Sequence, residues 1–261
     1  MMRFIDLVQL LRSLDVVDRG VHGRRPPRDD VRAVQDALTA MLADEDFYLD
    51  CIELEAEATA SGTPERPFAP FYRLDDLDLQ FRMFYWWPGK AAPPHEHTAW
   101  TVTAVFYNTL EVTTYDWDIA CREQRLQPKN RFTGVQGTAG HIYDRCIHRP
   151  ANLTERLATS IHIFNAADRP RIEHEVGPIS GMAPPTTAFV RGPNETVRLT
   201  ASKQLRLRAL AHMIGQFRSE RARRMLDAIA SAGDDLTRAV ADRVMWSMSR
   251  GTDTRVVLGG R

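Results

Sequence analysis

The feature that most constrains this chain is a change of texture at about residue 68. From there, short runs of β-branched and aromatic residues follow one another, Leu79–Trp87, Ala99–Tyr107, Leu110–Trp117 and Ala158–Phe164, separated by Pro, Gly and Asn. Short strands at such close spacing predict an antiparallel barrel or sandwich. On either side the apolar period lengthens to that of a helix. Residues 29–45 set Val31, Val34, Leu38, Met41 and Leu42 on one stripe after an acidic start, and a Gly-, Arg- and Pro-rich loop joins them to a short helix near Phe4–Leu14. Beyond Thr200, three apolar groups recur at helical spacing, Leu205 to Phe217, Met225 to Ile229 and Leu236 to Met245. Gly233 is a stop signal between the last two, and Asp234 and Asp235 suit the start of the next helix. The reading is a helical N-terminal flank over 1–67, a barrel over 68–178 and a helical C-terminal extension over 179–261.

Charge bears on partners. The 34 basic and 34 acidic side chains cancel, but unevenly: residues 1–179 carry 20 basic and 27 acidic groups, residues 180–261 carry 14 and 7. Opposite charge lets a basic tail pack on an acidic body or on a partner subunit. Without a polybasic run or an acidic tail, neither nucleic acid nor a membrane surface is an expected partner, and the arginines of Arg218–Arg224 are interrupted by Glu220. No stretch approaches the roughly 20 apolar residues that span a bilayer, so a cytoplasmic location is expected. Cys51, Cys121 and Cys146 make no Cys-x-x-Cys pair and read as structural thiols. The apolar stripes of the tail helices are expected to cap the barrel or to form a homo-oligomer interface.

The chemistry lies in the histidines. His95 and His97 follow a Pro- and Gly-rich lead-in, Trp87-Pro88-Gly89 to Pro93-Pro94. In a strand, side chains at i and i+2 share a face, so both imidazoles aim into one interior while Glu96 points away. Imidazole ligands suit iron, copper, nickel or zinc. A second histidine-bearing run holds His141, Ile147-His148-Arg149 and Asn152, followed by Ser160-Ile161-His162. Spacing alone leaves His141, His148 and His162 as rivals for a third ligand. His22, His174 and His212 read as ordinary surface or capping residues.

At these residues the sequence resembles the cysteine dioxygenase family of thiol dioxygenases within the cupin superfamily. The resemblance rests on Gly89 ahead of His95-x-His97, on Ile147-His148-Arg149 with Asn152, and on Ser160-x-His162, and it covers about Phe71 to Asn165. It implies a mainly β cupin barrel, a double-stranded β-helix or jelly roll, with helices at both ends. It further implies that His95, His97 and His148 bind Fe(II), while His162 pairs with Ser160 beside the metal. Three neutral ligands leave the ion cationic, with room for a chelating substrate and dioxygen. Two departures matter. Val102 falls where the eukaryotic enzymes have a cysteine and Phe164 where family members usually have a tyrosine, so their crosslink is excluded here. Tyr143 or Tyr85 is then the candidate for a replacement hydroxyl.

The family holds a substrate carboxylate with an arginine, and Arg73 and Arg82 compete for that role through a bidentate guanidinium pair. Trp100, three residues past His97, is a candidate wall of the site. The resulting expectation is a mononuclear iron enzyme that adds both atoms of dioxygen to the sulfur of a small thiol. Two alternatives stand beside it: a cupin metalloenzyme acting on a non-thiol carboxylated substrate, and a non-catalytic ligand sensor that signals through the tail.

Overall fold

A computed structural model describes residues 2–17, 25–61, 70–97, 99–117, 126–166, 168, 171–172 and 203–250 of the 261. Three helices come first, α1 (Phe4–Ser13), α2 (Arg28–Met41) and α3 (Glu45–Ser61). Ten strands follow: β1 (Tyr72–Leu74), β2 (Leu79–Trp86), β3 (His95–Glu96), β4 (Thr101–Tyr107), β5 (Thr109–Trp117), β6 (Leu126–Val135), β7 (Ala139–Ile142), β8 (Ile147–Ala151), β9 (Ala158–Asn165) and β10 (Arg171–Ile172). The chain closes with α4 (Lys203–Ile214), α5 (Glu220–Ala232) and α6 (Asp235–Arg250).

The strands form two antiparallel five-stranded sheets, in the orders β1-β2-β9-β4-β7 and β10-β3-β8-β5-β6. β2 pairs with β9, β3 with β8, β4 with β7 and β5 with β6. The eight strands therefore nest like one long hairpin, turning between β5 and β6 and rolled into a barrel, which is the jelly roll of the cupin fold. The strands expected from the sequence match β2, β4, β5 and β9 to within two residues at each end. The helix α3 has no such counterpart. Its buried residues run consecutively from Phe47 to Ile52, so no single stripe marks it as amphipathic.

Alternation assigns each strand two faces. In the first sheet, Phe81, Val102, Ala104, Phe106, Ile161 and Ile163 share one core with Leu7, Leu38, Ile52, Leu210 and Leu226 of the helices. Both helical flanks thus cover the outer face of this sheet, and its central strand β9 is buried along its whole length. The other face looks into the barrel. β6, at the edge of the second sheet, is exposed at nearly every position.

The basic tail meets the acidic body through α3. Arg221 on α5 donates to Asp50 at 2.5 Å, Glu53 at 2.8 Å and Asp46 at 3.2 Å. Asp50 also accepts from Arg3 Nε at 2.7 Å and Nη2 at 2.8 Å, and from the Phe4 N–H at 2.9 Å. A second contact is Arg206 of α4 at 3.8 Å from buried Glu55, which accepts from the Tyr85 hydroxyl at 2.9 Å. Burial raises the Glu55 carboxyl to about 7 against the opposing pull of Arg206 and its hydrogen bonds.

An acid whose folded pKa exceeds its unfolded value adds stability below the unfolded value and loses it as pH rises through the folded one. For Glu55 that window runs from about 4.5 to about 7. The unfolding free energy of Glu55→Gln relative to wild type is therefore expected to climb by roughly 3 kcal/mol between pH 4.5 and 8. Denaturant titrations at several pH values check this, and a pH-independent difference would contradict it.

Candidate metal centre

The tight turn after β2 sets up the site. Gly89 adopts φ 68°, a left-handed conformation in which a side chain is strained, and the Lys90 N–H closes the turn on the Trp87 carbonyl at 3.0 Å. Asn152, fully buried at the end of β8, holds the turn in place. Its N–H donates to the Lys90 carbonyl at 2.8 Å and its side-chain amide to the Trp86 carbonyl at 2.7 Å. β3 is thereby laid against β8, with His95 directly opposite His148.

His95, His97 and His148 each offer one ligand atom, and these atoms lie within 4.8 Å of one another. The ring centroids are 5.2 Å apart for His95 and His97, 4.3 Å for His95 and His148, and 5.2 Å for His97 and His148. Each Nδ1 faces an acceptor: the Pro93 carbonyl at 2.9 Å, a carboxylate oxygen of Asp168 at 2.6 Å, and the Cys146 carbonyl at 3.3 Å. Carbonyl and carboxylate oxygens only accept, so each Nδ1 carries the proton and each Nε2 keeps a lone pair for a metal. Burial, then the neighbouring histidines, lowers His95 to about 4 and His148 well below the ordinary imidazole range. These two rings are neutral at pH 7, as a metal ligand must be. A three-imidazole set suits a first-row transition ion, including Fe(II).

No sequence motif marks Asp168. It lies in the segment after β9, its side chain is fully buried, and its other oxygen accepts the Ala99 N–H at 3.2 Å. Only the folded chain brings it to His97. The carboxylate fixes the ring's orientation and tautomer, so Asp168→Asn is expected to weaken metal binding about 10- to 100-fold. Competition with a fluorescent chelator measures this, and unchanged affinity would rule the role out.

His162 stands beside this set on the opposite sheet, with Nε2 2.8 Å from Ser160 Oγ and Nδ1 3.0 Å from Thr103 Oγ1. Phe84 packs edge-on against its ring at 4.6 Å. Burial pushes its pKa well below the ordinary value, with the histidines and Arg82 adding to the effect. His141 faces the other way, toward Gln35 of α2, which leaves His148 as the third member of the cluster. The cavity next to the histidines has a volume of about 1040 Å³ and is lined by Thr103, Val112, Phe132, His148, Ser160 and His162, among others.

Of the two arginines, Arg82 is the one near the histidines. It lies opposite His162 across the strand pair, donates to Gln80 Oε1 at 3.0 Å and stacks over Phe164 at 5.2 Å. Four placements expected from the sequence are corrected by the fold. Arg73 sits on the edge strand β1, exposed and paired with Asp75 at 3.3 Å. Trp100 belongs to the face that packs on the helices, and its indole donates to the Val16 carbonyl at 3.1 Å, so it does not wall the cavity. Tyr143 donates its hydroxyl to the Pro26 carbonyl at 2.6 Å beneath Arg28, outside the barrel. Tyr85 is likewise turned away, toward Glu55.

Val102 pairs with Ile163 on the helix side, whereas Thr101 is the β4 residue opposite Phe164. Burial raises the thiols of Cys51 and Cys146. Cys121, His22 and His174 lie outside the described residues. Among the described residues no helix is long and apolar enough to cross a membrane.

No family model matches the sequence, and no curated protein matches it. Solved structures that it resembles include an oxalate oxidase in complex with the substrate analogue glycolate, at 18% identity and TM-score 0.31, covering 37% of this chain and 47% of that one. A cupin superfamily protein from Desulfitobacterium hafniense gives 12% identity and TM-score 0.28 over 37% of this chain and 73% of that one. An RmlC-like cupin with a double-stranded β-helix fold from Methanocaldococcus jannaschii gives 8% and 0.30 over 38% and 77%. The matched segment spans less than half of the oxalate oxidase.

Proposed function

We propose that the protein is a mononuclear non-haem iron dioxygenase that oxidises a small thiol, cysteine-like or a mercapto-carboxylate, to its sulfinate. The observation that carries the reading is the convergence of His95, His97 and His148 with their Nδ1 atoms all engaged, next to a fourth buried histidine tied to Ser160. The metal cluster found among the described residues contains no carboxylate. The Nε2 atoms of His95, His97 and His148 would hold Fe(II), which would supply a Lewis-acidic centre that favours the thiolate form of the substrate.

The residues around it do the rest. Arg82 pairs with the substrate carboxylate, and its stacking on Phe164 fixes the plane of the guanidinium. His162 stays neutral and keeps Ser160 oriented toward the cavity wall. Phe164, Phe84 and Val105 keep water from the reacting sulfur. The overall change is RSH + O2 → RSO2H, with both oxygen atoms on sulfur and the substrate as the reductant.

The test is oxygen uptake by iron-loaded protein with cysteine and 3-mercaptopropionate, followed by mass spectrometry of the product. A product heavier by two oxygens, labelled from 18O2, supports the reading. No uptake with either thiol overturns it in favour of a second one. The size of the cavity, about 1040 Å³, favours a larger carboxylated substrate without a thiol, acted on at the same three histidines.

A further inference from the structure

Four side chains inside the barrel form a chain whose direction follows from one donor. The Trp86 indole N–H lies 2.8 Å from Ser160 Oγ, and its ring is held by Val105, Leu110 and Ala158. An indole only donates, so Ser160 accepts from it. Ser160 has no solvent exposure, and its only other hydrogen-bond contact among the described residues is His162 Nε2. Two polarities remain for the chain.

If His162 donated from Nε2, the Ser160 hydroxyl hydrogen would be buried without an acceptor, at a cost of about 1–3 kcal/mol. If Ser160 donates to Nε2 instead, His162 carries its proton on Nδ1 and gives it to Thr103 Oγ1. The one hydrogen left over is then that of Thr103, which lines the cavity and, unlike Ser160, is only half-buried.

We infer that Trp86 and Thr103 are the positioning residues of this chamber. Trp86 sets the direction of the chain through Ser160 and His162, and Thr103 presents its hydroxyl hydrogen to the occupant of the cavity. The inference rests on that cavity being the substrate chamber, though not on the metal or the reaction. It gives the chamber one neutral donor on the wall opposite His148, selecting an occupant with an acceptor atom on that side.

Long-range 1H–15N spectra of the metal-free full chain at neutral pH read the tautomer of His162 directly. The expected result is a protonated Nδ1 and an acceptor Nε2. In Thr103→Val the Nδ1 proton loses its acceptor and the Nε2–H form rises to a comparable population, while Thr103→Ser restores the wild-type spectrum. Trp86→Phe releases the Ser160 hydroxyl and mixes the two tautomers. An Nε2–H tautomer in the wild type overturns the inference. So does a His162 signature unmoved by Thr103→Val, a readout that holds even where Trp86→Phe fails to fold. Absence of thiol oxidation leaves these spectra unaffected, so the two proposals fail separately.

Discussion

Replacing His148 with alanine is expected to reduce bound metal from stoichiometric to background and to abolish oxygen uptake. His95 and His97 come from one short segment, whereas His148 reaches them across a strand pair, so its loss leaves two neighbouring ligands and no opposing one. Losing an outer partner of a ligand costs about 10- to 100-fold in metal affinity, and losing a ligand itself costs more. The ring lines a cavity rather than filling a core, so the barrel survives its removal. Metal analysis of the purified variant, with circular dichroism as the control for folding, provides the check. Wild-type metal content in a folded His148→Ala protein would remove the basis for the site.

Asp50→Ala is expected to destabilise the protein by roughly 1–3 kcal/mol, because the hydrogen bonds of a largely buried carboxylate are lost while Arg221 keeps Asp46 and Glu53 and Arg3 stays in reach of water. Asp50 joins three elements: it takes both arms of the Arg3 guanidinium, the Phe4 N–H at the start of α1, and Arg221 from α5. Burial alone would raise its carboxyl, but these bonds hold it below its ordinary value. Its contribution is present above the unfolded pKa and is lost as pH falls through the folded one. The deficit of Asp50→Ala should accordingly shrink in acid. Denaturant midpoints at neutral pH and near pH 3 measure both effects, and a deficit that persists in acid would assign the loss to packing instead.

β2, β4, β5 and β9 were legible in the sequence as short β-branched and aromatic runs bounded by Pro, Gly and Asn, and the nesting of the strand pairs in the fold completes the jelly roll. α3 was not, since Phe47 to Ile52 are all buried and the helical period disappears under contacts from several sides. The same logic divides the site. His95, His97 and His148 lie on strand-borne motifs whose spacing carries information. Asp168 reaches His97 from a segment after the last long strand, a proximity no local pattern encodes. Trp100 and Arg73 show the limit of reasoning from nearness in sequence. Trp100 shares the parity of Val102 and Ala104 and so faces the helices, while Arg73 has the barrel-side parity of Gln80 but sits at an open edge.

β9 has no idle side. Ser160, His162 and Phe164 face the chamber, while Ile161 and Ile163 grip the helices behind it. A residue exchanged on either side is felt by chemistry or by packing, whereas β6 lines the cavity from one face only and packs on no helix among the described residues. Among descendants of a common ancestor, β9 should therefore drift slowest of all the strands. The stretch from Ala158 to Asn165 is the signature by which distant kin of this chain would be recognised.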